Sequence, residues 1–219
     1  MYVVVLTGGL ASGKGMVSDM LAHRGATILD LDLLAREVQK QRSIRIKLRG
    51  EFGSDVFNAT GEIDRKLLAE RAFADAESLS RLNAICWPPL QKRLAAYMRA
   101  ASKERFSAYT CTTSREWSDG NKLLAIEFPL LVEALAEGFE ILGFTDEVIS
   151  VVADEDLRLK RAVMRGMDEE DAKKRIDLQA NDVDRIAISN TVFSNNGTVE
   201  ELKKQVDQWY ELRSEEGLF

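Results

Sequence analysis

The chain has 219 residues, 45% of them hydrophobic and 30% charged, a balance that suits a folded protein with a sizeable core and excludes a disordered one. Lys and Arg number 30 against 36 Asp and Glu, a net charge of −6, so an anionic ligand needs a local basic site, and a general nucleic-acid binder is excluded. One histidine, His23, and two distant cysteines, Cys86 and Cys111, leave no basis for a His- or Cys-based metal centre, and the thiols read as free in a reducing cytoplasm.

In chain order, residues 2–6 form a short apolar run rich in β-branched residues, the pattern of a strand buried on both faces of a parallel sheet. This run leads straight into a glycine loop, so it does not read as a signal peptide, and no apolar stretch reaches the roughly 18 residues of a membrane helix. A helix is expected from Lys14 to about His23, with Val17, Met20 and Leu21 on one face, then a break at Gly25 and a second strand over 26–29. Strand, glycine loop, helix and strand make a βαβ unit. From 35 to 108 the pattern is helical, with turns at Phe52-Gly53 and 58–61 and an interruption at Pro88-Pro89. Apolar runs return at 123–128, 148–153 and 191–193. A helix runs from Asp168 to Gln179, and a last one opens on the capping-box pattern Thr198-Val199-Glu200-Glu201 with Leu202, Val206 and Trp209 on one stripe.

Gly8-Gly9-Leu10-Ala11-Ser12-Gly13-Lys14 fits G-x-x-x-x-G-K, in which backbone N–H groups and a helix N-terminus cradle phosphates while the lysine reaches the β- and γ-phosphates. A glycine turn without a ligand is the plain alternative. The next position, which calls for a Ser or Thr hydroxyl on Mg²⁺, is Gly15, followed by Met16. Asp30-Leu31-Asp32 falls at the carboxyl end of the second strand, where a carboxylate can orient a hydroxyl nucleophile or bind Mg²⁺ through water; turn formation or helix capping is the alternative.

Together with the loop, residues 28–37 resemble the dephospho-coenzyme A kinase family, and further matches follow in order. These are Phe52-Gly53 with 61–65, Phe128-Pro129-Leu130-Leu131 with Glu133, the stretch 157–165, Gln179, and 194–198. The resemblance implies an α/β fold, a P-loop nucleoside-kinase-like parallel sheet flanked by helices, with a helical substrate-binding insertion and a lid. The expected nucleotide-binding core is 1–34 and 109–219 with the lid at about 155–180, and 35–108 is the helical CoA-substrate domain. The implied reaction is ATP-dependent phosphorylation of the ribose 3′-hydroxyl of dephospho-CoA, with Mg²⁺ as cofactor, by a cytoplasmic monomer that engages neither nucleic acid nor membrane.

Carried over residue by residue, Asp32 is the base or orienting carboxylate, with Asp30 the weaker candidate. Lys14, Arg161 and Arg165 stabilise charge on the transferring group, the two arginines sharing a lid-helix face. Residues 8–16 with Asn195 and Gly197 hold the nucleotide, Asp32, Arg36 and Arg65 the acceptor, and Glu127 is a candidate metal ligand. Arg36 opens a basic stretch with Lys40, Arg42, Arg45, Lys47 and Arg49. Four positions depart from the family pattern: Gly15, Trp87 in place of His, Glu127 in place of Asp, and Arg158 in place of Gln. Two rival readings are a nucleotide- or CoA-binding pseudokinase, suggested by Gly15 and Trp87, and a related small-molecule kinase of the same fold. Trp87 reads most simply as a core aromatic. The stretch 111–121 matches nothing recognised.

Overall fold

β1 (Tyr2–Thr7) occupies the centre of the sheet, as its unbroken apolar run requires. The computed structural model describes residues 1–101 and 122–219; Cys111 and the unmatched stretch 111–121 lie outside them. With β2 (Thr27–Asp30), β3 (Leu123–Glu127), β4 (Glu147–Val152) and β5 (Thr191–Ser194), β1 forms a sheet in the order β2-β3-β1-β4-β5, every neighbouring pair parallel. The later three strands arise at the apolar runs expected near 123, 148 and 191. In register, Glu127 stands opposite both Leu6 and Asp30, so the carboxyl ends of β1, β2 and β3 come level, at the edge where parallel sheets receive ligands.

The helices, in chain order, are α1 (Lys14–Ala22), α2 (Leu31–Gln39), α3 (Arg42–Phe52), α4 (Arg65–Ala72), α5 (Ala76–Ala101), α6 (Leu131–Ala136), α7 (Glu155–Met164), α8 (Glu169–Leu178), α9 (Asp182–Ala187) and α10 (Val199–Glu215). The chain divides into a sheet unit, Met1–Asp32 with Tyr97–Phe219, and a helical unit, Leu33–Ala96. The expected edges were 34/35 and 108/109; Tyr97 and the last turn of α5 group with the sheet unit, and position 108 lies outside the described residues.

In the sheet unit, Val17 and Leu21 of α1 pack with Leu202, Val206 and Trp209 of α10 against Val4, Leu6, Ala125 and Ile149. Each such valine, leucine or isoleucine side chain contributes about 1.5–3 kcal/mol on burial. Thr198 and Glu201 form the expected capping box at the start of α10. Polar order is imposed by Glu147, a buried carboxylate that accepts hydrogen bonds from Tyr2, Trp209 and Arg213 at 2.9 to 3.0 Å and one from Thr191. It ties β1, β4, β5 and α10 together.

In the helical unit, Ile44, Leu48 and Phe52 of α3 enclose a core with Val56, Phe57, Leu68 and Cys86, a free and buried thiol. The turn at 58–61 is held by Asn58, whose side-chain oxygen accepts the Thr60 and Glu62 N–H groups, and Asp64 caps α4. One expectation is corrected here: α5 runs unbroken through Pro88-Pro89. Two prolines remove two N–H donors and ordinarily kink or end a helix, but Cys86, Trp87, Leu90 and Leu94 are all buried around them, so packing on both sides carries the helix through. Among the described residues, no helix is long and apolar enough to cross a membrane.

Candidate active site

The loop between β1 and α1 is built to meet an anion. Gly13 sits at the start of α1 with φ 110, a left-handed conformation that favours glycine, and no side chain caps the helix. No side chain therefore competes for the N–H groups of Lys14 and Gly15 that open the helix, whereas the Met16 N–H donates to the Gly13 carbonyl at 3.0 Å. Two side chains brace the loop: Gln179 accepts the Leu10 N–H at 2.7 Å, and the Asn195 amide donates to the Ser12 carbonyl at 2.7 Å. A β-carbon at Gly13 would collide with that amide, and one at Gly8 with the Val151 carbonyl. Ser12 is buried with its hydroxyl lacking a hydrogen-bond partner. Leu10 and Ala11 pack with Leu159, Ala162, Met167 and Ala172, seating the α7–α8 pair on the loop.

Lys14 donates from Nζ to the Gly8 and Gly9 carbonyls at 2.6 and 3.0 Å, folded over the loop it serves. Burial and the neighbouring Arg185 lower its pKa to about 8, with Asp32 and Glu127 opposing and Arg158 adding to the fall. Gly15 is exposed in the first turn of α1, with open space where a β-carbon would be. The Met16 side chain turns toward the sheet core, and its backbone N–H donates to the Gly13 carbonyl at 3.0 Å.

The two aspartates occupy different elements. Asp30 ends β2, whereas Asp32 lies in the first turn of α2, and the Asp30 carboxylate accepts the Asp32 N–H at 2.8 Å. The strand therefore stops one residue before Leu31, and Asp30 takes the capping role that two aspartates after a strand allow. Glu127 ends β3 half-buried; burial pushes its carboxyl up, the Ser18 hydroxyl and Lys14 pull it down, and Asp30 and Asp32 add to the rise.

Arg161 and Arg165, expected to act as a pair, are placed differently. Arg161 donates from Nη2 to the Asn195 carbonyl at 2.9 Å and keeps Nη1 buried without a hydrogen-bond partner. Arg165 is exposed and closes the C-terminus of α7. Asn195 itself is 2% exposed, engaged with the loop through its side chain and with Arg161 through its carbonyl. At Gly197 a β-carbon would collide with the Glu201 carboxylate of the capping box, which accounts for the glycine by helix capping.

Two further arginines reach the loop. Arg158, in the first turn of α7, is 5% exposed and Arg185, in α9, is 0% exposed. The sequence noted Arg158 only as a departure and passed over Arg185; the available signal was its place six residues after Gln179. In the helical unit, Arg36 and Arg65 line one cavity of about 340 Å³ with Lys40, Arg45, Gln39 and Glu62. Trp87 is 8% exposed, the burial of a core aromatic.

The sequence profile described as Dephospho-CoA kinase matches residues 2–201. A protein of that name from Corynebacterium jeikeium (strain K411) is 37% identical over 211 residues, covering 96% of this chain and 98% of its own length. Another, from Frankia casuarinae, is 34% identical and covers 97% and 84%. Among solved structures, a Thermus thermophilus protein superposes with a TM-score of 0.68 at 24% identity, covering 96% of this chain and 97% of its own. The dephospho-CoA kinase from Campylobacter jejuni gives 0.65 at 19%, covering 98% of each. Shikimate kinase from Acinetobacter baumannii, at 0.51 and 14% with 100% and 96% covered, shares the sheet architecture. At these identities the structures speak for the fold, a P-loop kinase fold as expected. With the profile spanning nearly all of it and relatives above 30% identity along its length, the chain belongs to the dephospho-CoA kinase family.

Proposed function

We propose that this protein transfers the γ-phosphoryl group of ATP to the ribose 3′-hydroxyl of dephospho-CoA. The observation that carries this reading is the family match over residues 2–201 falling on a glycine loop beside which Arg158 and Arg185 are buried with N–H groups lacking partners. The loop N–H groups and Lys14 bind the triphosphate. Asp32 orients the acceptor hydroxyl and takes its proton, and Arg161 balances charge on the group in transit, with a smaller contribution from Arg165 at the exposed end of α7. Arg36 and Arg65 receive the anionic part of the acceptor in their cavity. The hairpin of α7 and α8 is the lid, and Leu33–Ala96 is the substrate-binding unit.

The donor set suits Mg²⁺, a hard ion that keeps waters and takes one or two carboxylates plus substrate phosphates. Glu127 carries negative charge that Asp30 and Asp32 make harder to hold. Among the described residues no three His, Cys, Asp or Glu side chains are grouped to hold a metal. Glu127 would therefore hold a Mg²⁺ that arrives on the nucleotide, and the ion supplies charge neutralisation at the phosphates when bound. In this reading the protein acts as a cytoplasmic monomer on small molecules alone.

ADP release, measured with MgATP and a panel of hydroxyl acceptors, tests the proposal. Turnover with dephospho-CoA well above every other acceptor is expected. Release that prefers another acceptor overturns the substrate, and ATP binding without release from any acceptor overturns the enzyme.

A further inference from the structure

The guanidinium of Arg158 is anchored at one end only. Its Nε donates to the Ala153 carbonyl at 3.0 Å, a contact beside its own helix, while Nη1 is buried without a hydrogen-bond partner. Nη1 is pressed against the phosphate loop, where a β-carbon on Gly9 would collide with it and would come within 3.5 Å of Arg185 Nη1. Arg185 donates from Nη1 to Asp182 at 3.0 Å but leaves Nε and Nη2 buried and unpartnered. Glu133 is a further negative charge acting on Arg185, and Lys14 shares the same field with both arginines. Gly9 is thus the point at which two guanidinium groups meet the loop, and only a residue without a side chain lets them approach.

Buried cations with unsatisfied donors destabilise a fold unless a ligand answers them. A planar guanidinium with free N–H groups suits phosphate oxygens, which it can grip with two donors at once. At the same loop, Gly15 lacks the hydroxyl that would tie a metal ion to the nucleotide. We propose that Arg158 contacts the nucleotide polyphosphate and supplies the positive charge that the missing hydroxyl at Gly15 would otherwise bring in through a metal, so that this chain holds ATP with little help from a divalent cation. Arg185, which meets the same face of Gly9, adds a second positive charge there. The inference rests on the kinase reading above, and its test separates the two.

The experiment is calorimetric titration of ATP and ADP into the parent, R158Q, R158K and the double variant R158Q/G15S, each with Mg²⁺ and with EDTA, beside thermal melts. The parent is expected to lose less than about fivefold in ATP affinity on metal removal. R158Q is expected to lose at least tenfold for metal-free ATP, less for ADP, with R158K between. In R158Q/G15S the Mg²⁺-supported affinity should return while the metal-free affinity should not. The ligand-free R158Q protein should melt no lower than the parent, since an unpaired buried charge has been removed, and ATP should raise its melting point less. R158Q that binds metal-free ATP like the parent overturns the inference alone. R158Q that melts well below the parent, with its ATP-induced rise intact, assigns Arg158 to structure and also overturns it. A parent that binds no ATP in either buffer overturns the kinase reading and this inference with it.

Discussion

The Asp30 carboxylate holds the backbone N–H of Asp32 at 2.8 Å, so one aspartate of the pair serves the chain and the other is positioned by it. Substitution should separate them. Asp30→Asn keeps a capping oxygen, and its turnover should stay within about threefold of the parent. Asp32→Asn removes the group proposed to take the acceptor proton, a role worth roughly 10²–10⁴ in rate. Its ATP affinity should stay near normal. Steady-state ADP release and calorimetry decide, and an Asp32→Asn enzyme of unchanged turnover means that the acceptor is oriented by another group.

Lys14 gives the free protein a titration near pH 8. The protonated form attracts phosphate, and the free protein sheds that proton as pH rises through about 8. ATP affinity should therefore fall above pH 8, approaching about tenfold per unit. Lys14→Arg stays charged, so whatever affinity it retains should be level up to about pH 9.5. A parent affinity that is equally level over that range contradicts the burial assigned to Lys14.

The lid arginines are unequal. Arg161 donates to the carbonyl of Asn195, the residue that braces the loop, whereas Arg165 is exposed. Arg161→Lys keeps charge but loses the planar fork, and kcat should drop roughly tenfold or more. Arg165→Lys should stay within about threefold. Equal losses in the two would mean that Arg165 turns inward when substrates bind.

Glu147 predicts an acid limb of stability. Burial raises its pKa, but hydrogen bonds from Arg213, Thr191, Trp209 and Tyr2 outweigh that and hold it below the ordinary glutamate range. A lowered carboxylate stabilises the fold at neutral pH, and the contribution is lost as pH falls through that range. Glu147→Gln leaves Arg213 without its buried partner at a cost of about 3 kcal/mol, or roughly 6–12 °C in a chain of this size. The variant should also lose part of the parent's pH dependence below pH 5. A melting point within about 2 °C of the parent contradicts this network.

Local patterns carried most of the fold. A β-branched run, a glycine loop, a capping box and a 3.6-residue stripe each state a conformation that neighbouring residues alone decide, and β1, the phosphate loop and α10 follow them. What escaped depends on distant packing. Nothing local in Pro88-Pro89 reveals that α5 continues, because flanking burial, not propensity, decides it. Arg185 and Arg158 stand 27 positions apart in the sequence and meet only across the loop at Gly9. The separation of Asp30 from Asp32 likewise turns on where a strand yields to a helix, a boundary that a three-residue motif does not mark.

Gly15 offers the last test, since open space surrounds the position of its missing β-carbon. Gly15→Ser should be accommodated without movement. It restores an oxygen at the place where a phosphate loop tethers Mg²⁺ and replaces a residue that weakens a helix by up to about 1 kcal/mol relative to Ala. The melting point should hold or rise slightly. If turnover is limited by how firmly the metal is tied to the nucleotide, the Mg²⁺ concentration for half-maximal rate should fall severalfold while kcat is kept or improved. Titrating Mg²⁺ for both proteins, with melts run alongside, separates metal binding from stability. An unchanged Mg²⁺ requirement at full activity would show that the hydroxyl is dispensable here, leaving the loop N–H groups, Glu127 and the buried arginines sufficient to fix the triphosphate.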